Sequence, residues 1–453
     1  MTQPSPMPAL SGYIERALRQ PLPDEVLEKT KFQLLDTLAA MLSGSRMAAG
    51  KMALAHIQGQ GGNAQACVAG TPLVTTAINA ALANGMSAHA DETDDSHAAS
   101  LTHPGCGVIP AALAVAELHR RSGRDLARAI ALGYDVCCRL TLSLHAYDFR
   151  AAGHSTHSFG PNFGAAAAAG ALCGINAAQA RHLLSYAAQQ ASGIASWMRD
   201  RDHVEKAFDF GGMPARNGVT AALMVAQGFT GVDDVFSGER GFFDAYGDEP
   251  ERQLLADQLG TRFEILETSI KRWSVGSPIQ APLDSMHALL QQSAIAPDRV
   301  TDIAVRIPQQ SLTIVDNREM PEICLQHLIA VMLLDRTLTF TSAHDRARMQ
   351  DPAVRTVRER VRLRGDDELS RAMPERQGIV EITLDDGRVL SHHTRAVRGT
   401  PRNPMDRSEL QQKCLDLISP VTGTEQAEAL CAAVWKLETI QDVQTLRPLL
   451  CVA

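Results

Sequence analysis

The chain has 453 residues, enough for two domains of the usual size of about 100 to 200 residues. Its net charge of -8 gives no basic surface for a phosphate backbone, so we expect no nucleic-acid partner. It has no run of about 18 apolar residues and no signal-like start, which predicts a cytoplasmic protein without a membrane partner. Nine cysteines without a C-x-x-C pair favour reduced thiols.

Helical periodicity dominates the chain from Pro23 to about residue 260. The first helix of this stretch is predicted to start after Pro23 and to stop at Gly44, and its wide apolar face predicts burial. Runs of small residues such as GAAAAAGAL let helix backbones approach closely, which indicates a helical bundle. Further helices are predicted over residues 76–88, 110–120, 125–144, 164–172, 177–195 and 215–226.

The pattern changes after about residue 265. Residues 300–307 and 378–384 alternate apolar and polar side chains, and the second segment returns through an Asp-Gly turn to an apolar pair at 389–390, which predicts a hairpin. About fifty final residues return to helical spacing and are expected to pack on the first domain. The predicted fold class is therefore mainly α, with an all-helical domain of residues 1–265 and 400–453 and an α+β domain of residues 266–399.

Acidic and imidazole side chains are concentrated in residues 89–103, HADETDDSHAASLTH, between two apolar helices. Loops held against a packed core often carry functional side chains, although a solvated acidic loop or a helix cap has the same composition. His97 and His103 are six residues apart, which fits neither a helical metal-binding pair nor a zinc finger. We therefore expect no metal, although acids and histidines together also suit one.

A second polar cluster, RAAGHSTHSFG, runs from Arg150 through His154 into a predicted helix. A helix N-terminus favours anions, so His154 is expected beside a bound carboxylate, although a single histidine is more often structural. Lys206 and Lys271 stand in unusual surroundings for lysine, whose side chain normally lies on a solvated face. Two ammonium groups would hold a di- or tricarboxylate and stabilise the negative charge that builds up when its α-carbon loses a proton.

Taken in order, these motifs resemble those of the MmgE/PrpD family, whose members include 2-methylcitrate dehydratase, cis-aconitate decarboxylase and iminodisuccinate epimerase. HADETDDSH resembles H-x-x-[DE]-x-D-D-[TS], GHSTHSFG resembles G-F-H-x-T, and THPG and RGTPRNP occur at the expected places. The resemblance implies a large all-helical domain formed by both chain ends, a smaller α+β lid domain, a homodimer, and catalysis without metal or cofactor. By position, it assigns to the pocket Glu92, Asp94, Ser96, His103, His154, Lys206 and Lys271.

Three positions depart from the dehydratase-like members of that family. Where those members resemble K-x-Y-P-x-C-x-x-x-H after the second lysine, this chain has Trp273 for the tyrosine and Gln280 for the histidine. In the segment resembling S-x-x-Y, His327 replaces the tyrosine. We expect these three side chains and Arg150 to contact substrate, and the departures argue against citrate-type dehydration.

The resulting hypothesis is a metal-free lyase, a dehydratase or decarboxylase, that abstracts the α-proton of a small di- or tricarboxylate. An imidazole has a pKa of about 6.5, so it can accept and return a proton at neutral pH. His154 is assigned as the base and His103 as the acid or charge partner. The residues expected to hold carboxylates or to orient the imidazoles are Lys206, Lys271, Glu92 and Asp94.

Two alternatives remain open at this stage. An epimerase of a dicarboxylate such as iminodisuccinate needs two opposed bases, and His97, His157 and His327 are further candidates for the second base. The other alternative is a non-catalytic dimer that binds a carboxylate.

Overall fold

The computed structural model describes residues 4–372 and 376–452. The chain forms two compact units: unit 1 comprises the chain up to Thr268 and again from Leu410, and unit 2 comprises Ser269–Glu409. Helices make up 61% of the structure beside a small mixed sheet, so the prediction of a mainly α protein is confirmed. The domain boundaries near residues 265 and 400 stay a prediction.

Unit 1 is built mainly from helices. It also contains a two-stranded antiparallel pair, β1 (Ala66–Cys67) and β2 (Val74–Thr75), so the prediction that this part is all-helical is wrong in detail. The helices up to Thr268 are α1 (Met7–Arg16), α2 (Asp24–Gly44), α3 (Ala48–Gln58), α4 (Ala77–Ala88), α5 (Pro104–Leu118), α6 (Gly123–Ser143), α7 (Ala146–Ala151), α8 (Thr156–Cys173), α9 (Ala177–Gln189), α10 (Val204–Ala207), α11 (Met213–Ala226) and α12 (Phe242–Tyr246).

Three predicted helix boundaries are wrong, and each lies near a proline or a glycine. α5 begins at Pro104 and continues through Pro110, although Pro110 was expected at the first helical position. α8 begins at Thr156, eight residues before the predicted start at 164, and it includes Pro161. α9 ends at Gln189 rather than at 195, and Gly193 then adopts a φ of 127°, which a helix does not allow.

Small residues let the central helices of unit 1 touch through their backbones. A Cβ atom on Gly164 of α8 would lie 2.4 Å from the carbonyl oxygen of Gly133 in α6. On another side of α8, a Cβ on Gly218 of α11 would lie 2.5 Å from the backbone nitrogen of Ala166. The close packing predicted from the GAAAAAGAL run is therefore confirmed.

Unit 2 contains a four-stranded sheet of order β4-β3-β5-β6, in which β3 pairs parallel with β4 and the other pairs are antiparallel. Alternating burial along β5 confirms the predicted strand and its hairpin with β6. The strands are β3 (Val300–Pro308), β4 (Val361–Asp366), β5 (Gly378–Leu384) and β6 (Val389–Thr394). The helices are α13 (Gln280–Gln292), α14 (Leu312–Val315), α15 (Leu325–Asp335), α16 (Phe340–Ala343), α17 (Pro352–Arg358) and α18 (Asp367–Arg371).

The chain then returns to unit 1 through α19 (Arg407–Thr422), α20 (Thr424–Trp435) and α21 (Arg447–Leu450). These helices confirm the helical periodicity expected for the final residues. Within residues 4–372 and 376–452, no helix combines the length and the apolar character needed to cross a bilayer.

Candidate active site

The loop between α4 and α5, residues 89–103, is called the histidine loop below. His89 directly follows α4, and His103 is the N-cap residue of α5. Asp94 Oδ2 lies 2.8 Å from His89 Nδ1 and 3.2 Å from His103 Nδ1. His89 and Asp94 have fully buried side chains, whereas the His103 side chain is 12% exposed. One carboxylate oxygen therefore faces the same ring atom of two imidazoles.

This arrangement favours the tautomer in which Nδ1 of each imidazole carries hydrogen, because a carboxylate accepts hydrogen bonds. The Nε2 atom is then the ring atom that exchanges protons, as in catalytic carboxylate–histidine pairs. Of the two rings, that of His103 has access to the surface and is the better candidate for contact with substrate.

Phe210 brings further imidazoles together in unit 1. Its ring stacks on that of His89 at 4.2 Å and on that of His157 at 3.9 Å between centroids. The centroids of His157 and His103 are 5.2 Å apart. Phe210 lies in a π-helical segment, Phe208–Gly212, between α10 and α11, and such segments are frequent at functional sites. We call His89, Asp94, His103, His157 and Phe210 the imidazole cluster.

Glu92, His203 and Lys206 border the imidazole cluster. Lys206 Nζ forms an ion pair with Glu92 Oε1, and His203 Nδ1 lies 3.7 Å from the same oxygen. The Lys206 ammonium also lies 5.3 Å from the centroid of Phe210. Glu92 and His203 both adopt positive φ angles, 61° and 58°, which are costly for residues other than glycine. Backbone strain of this kind tends to concentrate at functional sites.

Two imidazoles at this site stay neutral at pH 7. Burial lowers the pKa of His157 well below its usual value, and the Lys206 and Arg150 cations act in the same direction. Burial and the Lys206 ammonium lower the pKa of His203 to about 3. Neutral His203 donates a hydrogen bond from Nε2 to the His89 carbonyl oxygen at 2.9 Å. The site therefore combines neutral hydrogen-bonding imidazoles with an ammonium group.

Trp197 is held against this cluster by a buried network. Its Nε1 donates to Ser155 Oγ at 3.2 Å, and Ser155 in turn donates to Asp209 Oδ2. Burial raises the pKa of Asp209 to about 7. The Trp197 ring lies 5.4 Å from that of His157 and beneath the Lys206 ammonium. This network positions the aromatic side of the site.

The structure brings together four of the residues predicted from sequence: Glu92, Asp94, His103 and Lys206. Arg150 contributes positive charge at His157, and half-buried Ser96 directly precedes the bridge between His97 and Thr102.

His154, the predicted base, lies in different surroundings within unit 1. Its ring stacks on Phe149 at 4.4 Å and meets Tyr246 edge-on at 6.0 Å. His157, one turn further along, is the ring beside His103. The catalytic role of His154 stays a prediction. His97, another candidate base, has its Nε2 atom 3.5 Å from Glu264 Oε2.

The remaining predicted site residues belong to unit 2. Lys271 and His327 are buried there, and burial beside Arg358 lowers the pKa of His327 to about 4. Both polar atoms of the Gln280 amide form hydrogen bonds with backbone atoms. Oε1 accepts from Trp273 N at 3.1 Å, and Nε2 donates to Trp273 O at 2.8 Å. Trp273 Nε1 donates to Asp284 Oδ1 at 2.9 Å. Substrate contact by these four residues stays a prediction.

Sequence reasoning did not assign roles to Trp197, His203 or Phe210. Their signals were weak, because a single aromatic or histidine residue in a helical stretch is normally a core or surface residue. The pair of glycines after Phe210 was the best available clue, since adjacent glycines in a helix mark a close backbone approach.

Among the described residues, two sets of side chains have ligand atoms close enough for a metal ion: His89 with Asp94 and His103, and His89 with Glu92 and His203. Both sets need His89, so they cannot be filled independently. The Lys206 ammonium, paired with Glu92, would repel a cation at the second set.

Two family models and several curated relatives match this chain in sequence. The MmgE/PrpD N-terminal domain matches residues 8–255, and the MmgE/PrpD C-terminal domain matches residues 273–439. Cis-aconitate decarboxylase of Homo sapiens is 26% identical over 450 residues, 95% of this chain and 91% of that protein. Cis-aconitate decarboxylase of Aspergillus terreus is 22% identical over 468 residues, 95% of this chain and 92% of that protein. A cis-aconitate decarboxylase-like protein of Aspergillus oryzae is 30% identical over 52% of this chain and 49% of that protein. The chain belongs to the MmgE/PrpD family.

Proposed function

We propose that the protein is a metal-free lyase that decarboxylates a small unsaturated tricarboxylate of the cis-aconitate type. The observation that carries this proposal is the shared Asp94 carboxylate, which orients His89 and His103 through their Nδ1 atoms. The names of the full-length relatives support the same reaction class. Dehydration of a related hydroxy acid uses the same proton-transfer groups and is the nearest variant of this activity.

The proposed reaction needs one proton and releases carbon dioxide. The bond from the allylic carbon to its carboxylate breaks, and its electron pair forms a new carbon–carbon double bond. The electron pair of the old double bond then takes a proton at the carbon next to another carboxylate. A trianion and a proton thus become a dianion and carbon dioxide. An acid positioned at that carbon and a cation beside the carboxylates accelerate this step.

His103 is the proposed proton donor, acting through Nε2. Asp94 stabilises the protonated imidazole and fixes its orientation at 3.2 Å. Lys206 is the proposed partner of a substrate carboxylate, which would compete with Glu92 for the ammonium. His157 is neutral and is proposed to donate a hydrogen bond to substrate rather than a positive charge.

The test is turnover of cis-aconitate in heavy water by the wild-type protein and by His103→Gln. The wild type should release carbon dioxide and place one solvent deuterium on the product, next to a carboxylate. Loss of general acid catalysis should slow His103→Gln by about 100-fold or more. His56→Gln, on the exposed face of α3, is the matched control and should keep wild-type turnover. Full turnover by His103→Gln, or a product without deuterium, would contradict the proposal.

Epimerisation of a dicarboxylate is the second candidate, favoured by the 5.2 Å separation of the His103 and His157 rings. Removal and return of a proton at one carbon needs imidazoles at the same site, and these two rings lie in one cluster. Iminodisuccinate incubated in heavy water distinguishes the candidates. Deuterium exchange with racemisation and without carbon dioxide release would favour the epimerase, and inertness of iminodisuccinate beside turnover of cis-aconitate would exclude it.

A further inference from the structure

Unit 1 contains a cavity of about 290 Å³ that shares no residue with the imidazole cluster. Its volume is just below the usual range for small-molecule sites, about 300 to 1,000 Å³, and suits a small ligand. Its walls come from α1, the segment after it, α6 and the residues around Gly260. The side chains that define its chemistry are Tyr13, Arg16, Leu22, Arg128, Leu132 and Phe263.

The charged groups of this cavity are all cationic. Arg16 and Arg128 both line it, and no aspartate or glutamate is among the lining residues. Arg128 Nη1 donates to the Leu18 carbonyl oxygen at 2.7 Å. The same Nη1 atom lies 3.7 Å from Asp125 Oδ1. These contacts use Nη1, so Nε and Nη2 of Arg128 remain as donors for a ligand. Arg16 forms no ion pair within residues 4–372 and 376–452.

The rest of the lining is apolar. Leu22, Leu132 and Phe263 contribute hydrocarbon surface, and Phe263 is buried. A fully hydrated inorganic anion would leave this surface unused, whereas a carboxylate attached to a short hydrocarbon chain would satisfy both parts. We propose that this cavity is a second ligand site, which binds a small organic carboxylate with an apolar tail between Arg16 and Arg128.

A continuous chain of polar contacts leads from this cavity to the histidine loop. Tyr13 Oη donates to Asp135 Oδ2 at 2.8 Å, and Asp135 Oδ1 accepts from the backbone nitrogen of Glu264 at 2.7 Å. Glu264 Oε2 lies 3.5 Å from His97 Nε2, and His97 N donates to Thr102 O at 2.9 Å. Thr102 immediately precedes His103.

Phe263 gives the same route a second starting point, because it lines the cavity and precedes Glu264 in the chain. A ligand that shifts Tyr13 or Phe263 therefore acts on groups that hold the histidine loop. The second part of the proposal is that occupancy of the cavity changes the order of residues 97–103. This part concerns the structure of the loop and holds whatever reaction the loop serves.

Binding is tested by calorimetry with hexanoate as the probe, and with hexanol and inorganic phosphate as comparisons. Hexanoate should bind the wild-type protein, while hexanol, which lacks the charge, and phosphate, which lacks the tail, should bind at least about tenfold more weakly. Arg16→Gln should weaken hexanoate about tenfold, since Arg16 is exposed and its loss leaves the core intact. Arg19→Gln, an exposed neighbour outside the cavity, is the matched control.

A second experiment distinguishes binding in this cavity from binding at the imidazole cluster, which is also proposed to bind carboxylates. Lys206→Met should keep hexanoate binding if the probe occupies the cavity. Equal binding of hexanoate by Arg16→Gln and the wild type, or loss of binding in Lys206→Met, would overturn the cavity as the site. Equal affinity for hexanol would overturn the role of the arginines.

Coupling is tested by hydrogen exchange of the peptide covering residues 97–103, with and without hexanoate. Addition of hexanoate should change the exchange of this peptide in the wild type. Glu264→Gln removes the negative charge that faces His97 Nε2 at 3.5 Å, so hexanoate should still bind but should leave exchange at 97–103 unchanged. An unchanged peptide in the wild type, or an equal change in Glu264→Gln, would overturn the coupling and leave the binding result standing.

Discussion

Two adjacent aspartates in the histidine loop have different roles. Asp94 faces two imidazoles, whereas Asp95 fixes the start of α5: its Oδ1 accepts from Gly105 N at 3.0 Å and its Oδ2 accepts from Tyr134 Oη at 2.7 Å. Burial raises the pKa of Asp95 to about 7, even though both hydrogen bonds act in the opposite direction. The folded protein therefore holds a proton on Asp95 that the unfolded chain releases near pH 4.

This proton gives stability a definite pH dependence. Between about pH 4 and about pH 7 the folded state binds the extra proton, so the contribution of Asp95 to stability is present in acid and is lost as the pH rises. Asp95→Asn removes this dependence. Relative to the variant, the wild type should lose about 2 to 3 kcal/mol of unfolding free energy between about pH 5 and about pH 8.

Urea unfolding of both proteins at the two pH values measures this difference. Asp248→Asn, at an exposed position of unit 1, is the matched control for the chemical change. A difference between wild type and Asp95→Asn that stays constant with pH would show that Asp95 is already ionised in the folded state.

Single residues of the site were predictable where a motif fixed their order, and Glu92, Asp94, His103 and Lys206 do lie together. His157 was harder to predict, because His154 and His157 are both close to the start of α8. Which ring meets His103 depends on where that helix begins, and it begins at Thr156. A shift of a few residues in a helix start changes which side chains face inward.

At the scale of elements, the site depends on one backbone contact between α4 and the π-helical segment. A Cβ on Gly211 would lie 2.0 Å from the carbonyl oxygen of Gly85, and a Cβ on Gly85 would lie 2.5 Å from that of Gly211. The two segments can therefore approach only because both positions are glycine. This contact sets the position of Phe210, the ring on which His89 and His157 stack.

Gly211→Ala should separate these segments and displace Phe210. The clash is with backbone rather than with a flexible side chain, so we expect a loss of about 1 to 3 kcal/mol in unfolding free energy and a fall in turnover. Gly59→Ala is the matched control, because its added Cβ meets only an ordinary contact at 3.7 Å. Equal stability and turnover of the two variants would show that the Gly85–Gly211 contact does not position the site.

Helices and strands were predictable from periodicity, but their ends were less so. Pro110 and Pro161 both lie inside helices, although proline normally marks a helix start. In each case the segment before the proline was short and rich in small or polar residues, so its local preferences did not indicate a helix. Burial of that segment in unit 1 decides its conformation, and burial is not visible in local sequence.

At the scale of the whole chain, the last helices complete unit 1. Lys413 of α19 donates from Nζ to Asp36 Oδ1 at 2.5 Å and to the Thr93 carbonyl oxygen at 2.9 Å. The Asp36 side chain is fully buried and that of Lys413 is 5% exposed. Lys413 therefore ties α2 and the histidine loop to α19 with one buried ammonium group.

Lys413→Met should destabilise the protein by about 3 to 5 kcal/mol, because it removes the ammonium partner of a buried carboxylate. The double variant Lys413→Met/Asp36→Leu leaves neither charge of this pair buried, so most of the lost unfolding free energy should be recovered. Chemical denaturation of the four proteins of this cycle gives the coupling energy. Additive effects of the two substitutions would mean that the pair does not interact.

Helical periodicity predicted α19, but it could not identify Asp36 as the partner of Lys413, because the two residues are 377 positions apart. Contacts of this kind come from the tertiary fold. A motif predicted that Lys206 lies in the site. No local pattern predicted that Lys413 contacts the histidine loop.

The long separation of these partners also orders events in time. Lys413 follows Thr93 by 320 residues, so a ribosome has made every imidazole of the cluster long before it makes the lysine that anchors their loop. Before Lys413 has been synthesised, we expect the Asp36 carboxylate to stay partly solvated, since burying it without the Lys413 ammonium is costly. Final closure of the histidine loop is therefore expected as a late step of synthesis, after translation has passed through the whole of unit 2.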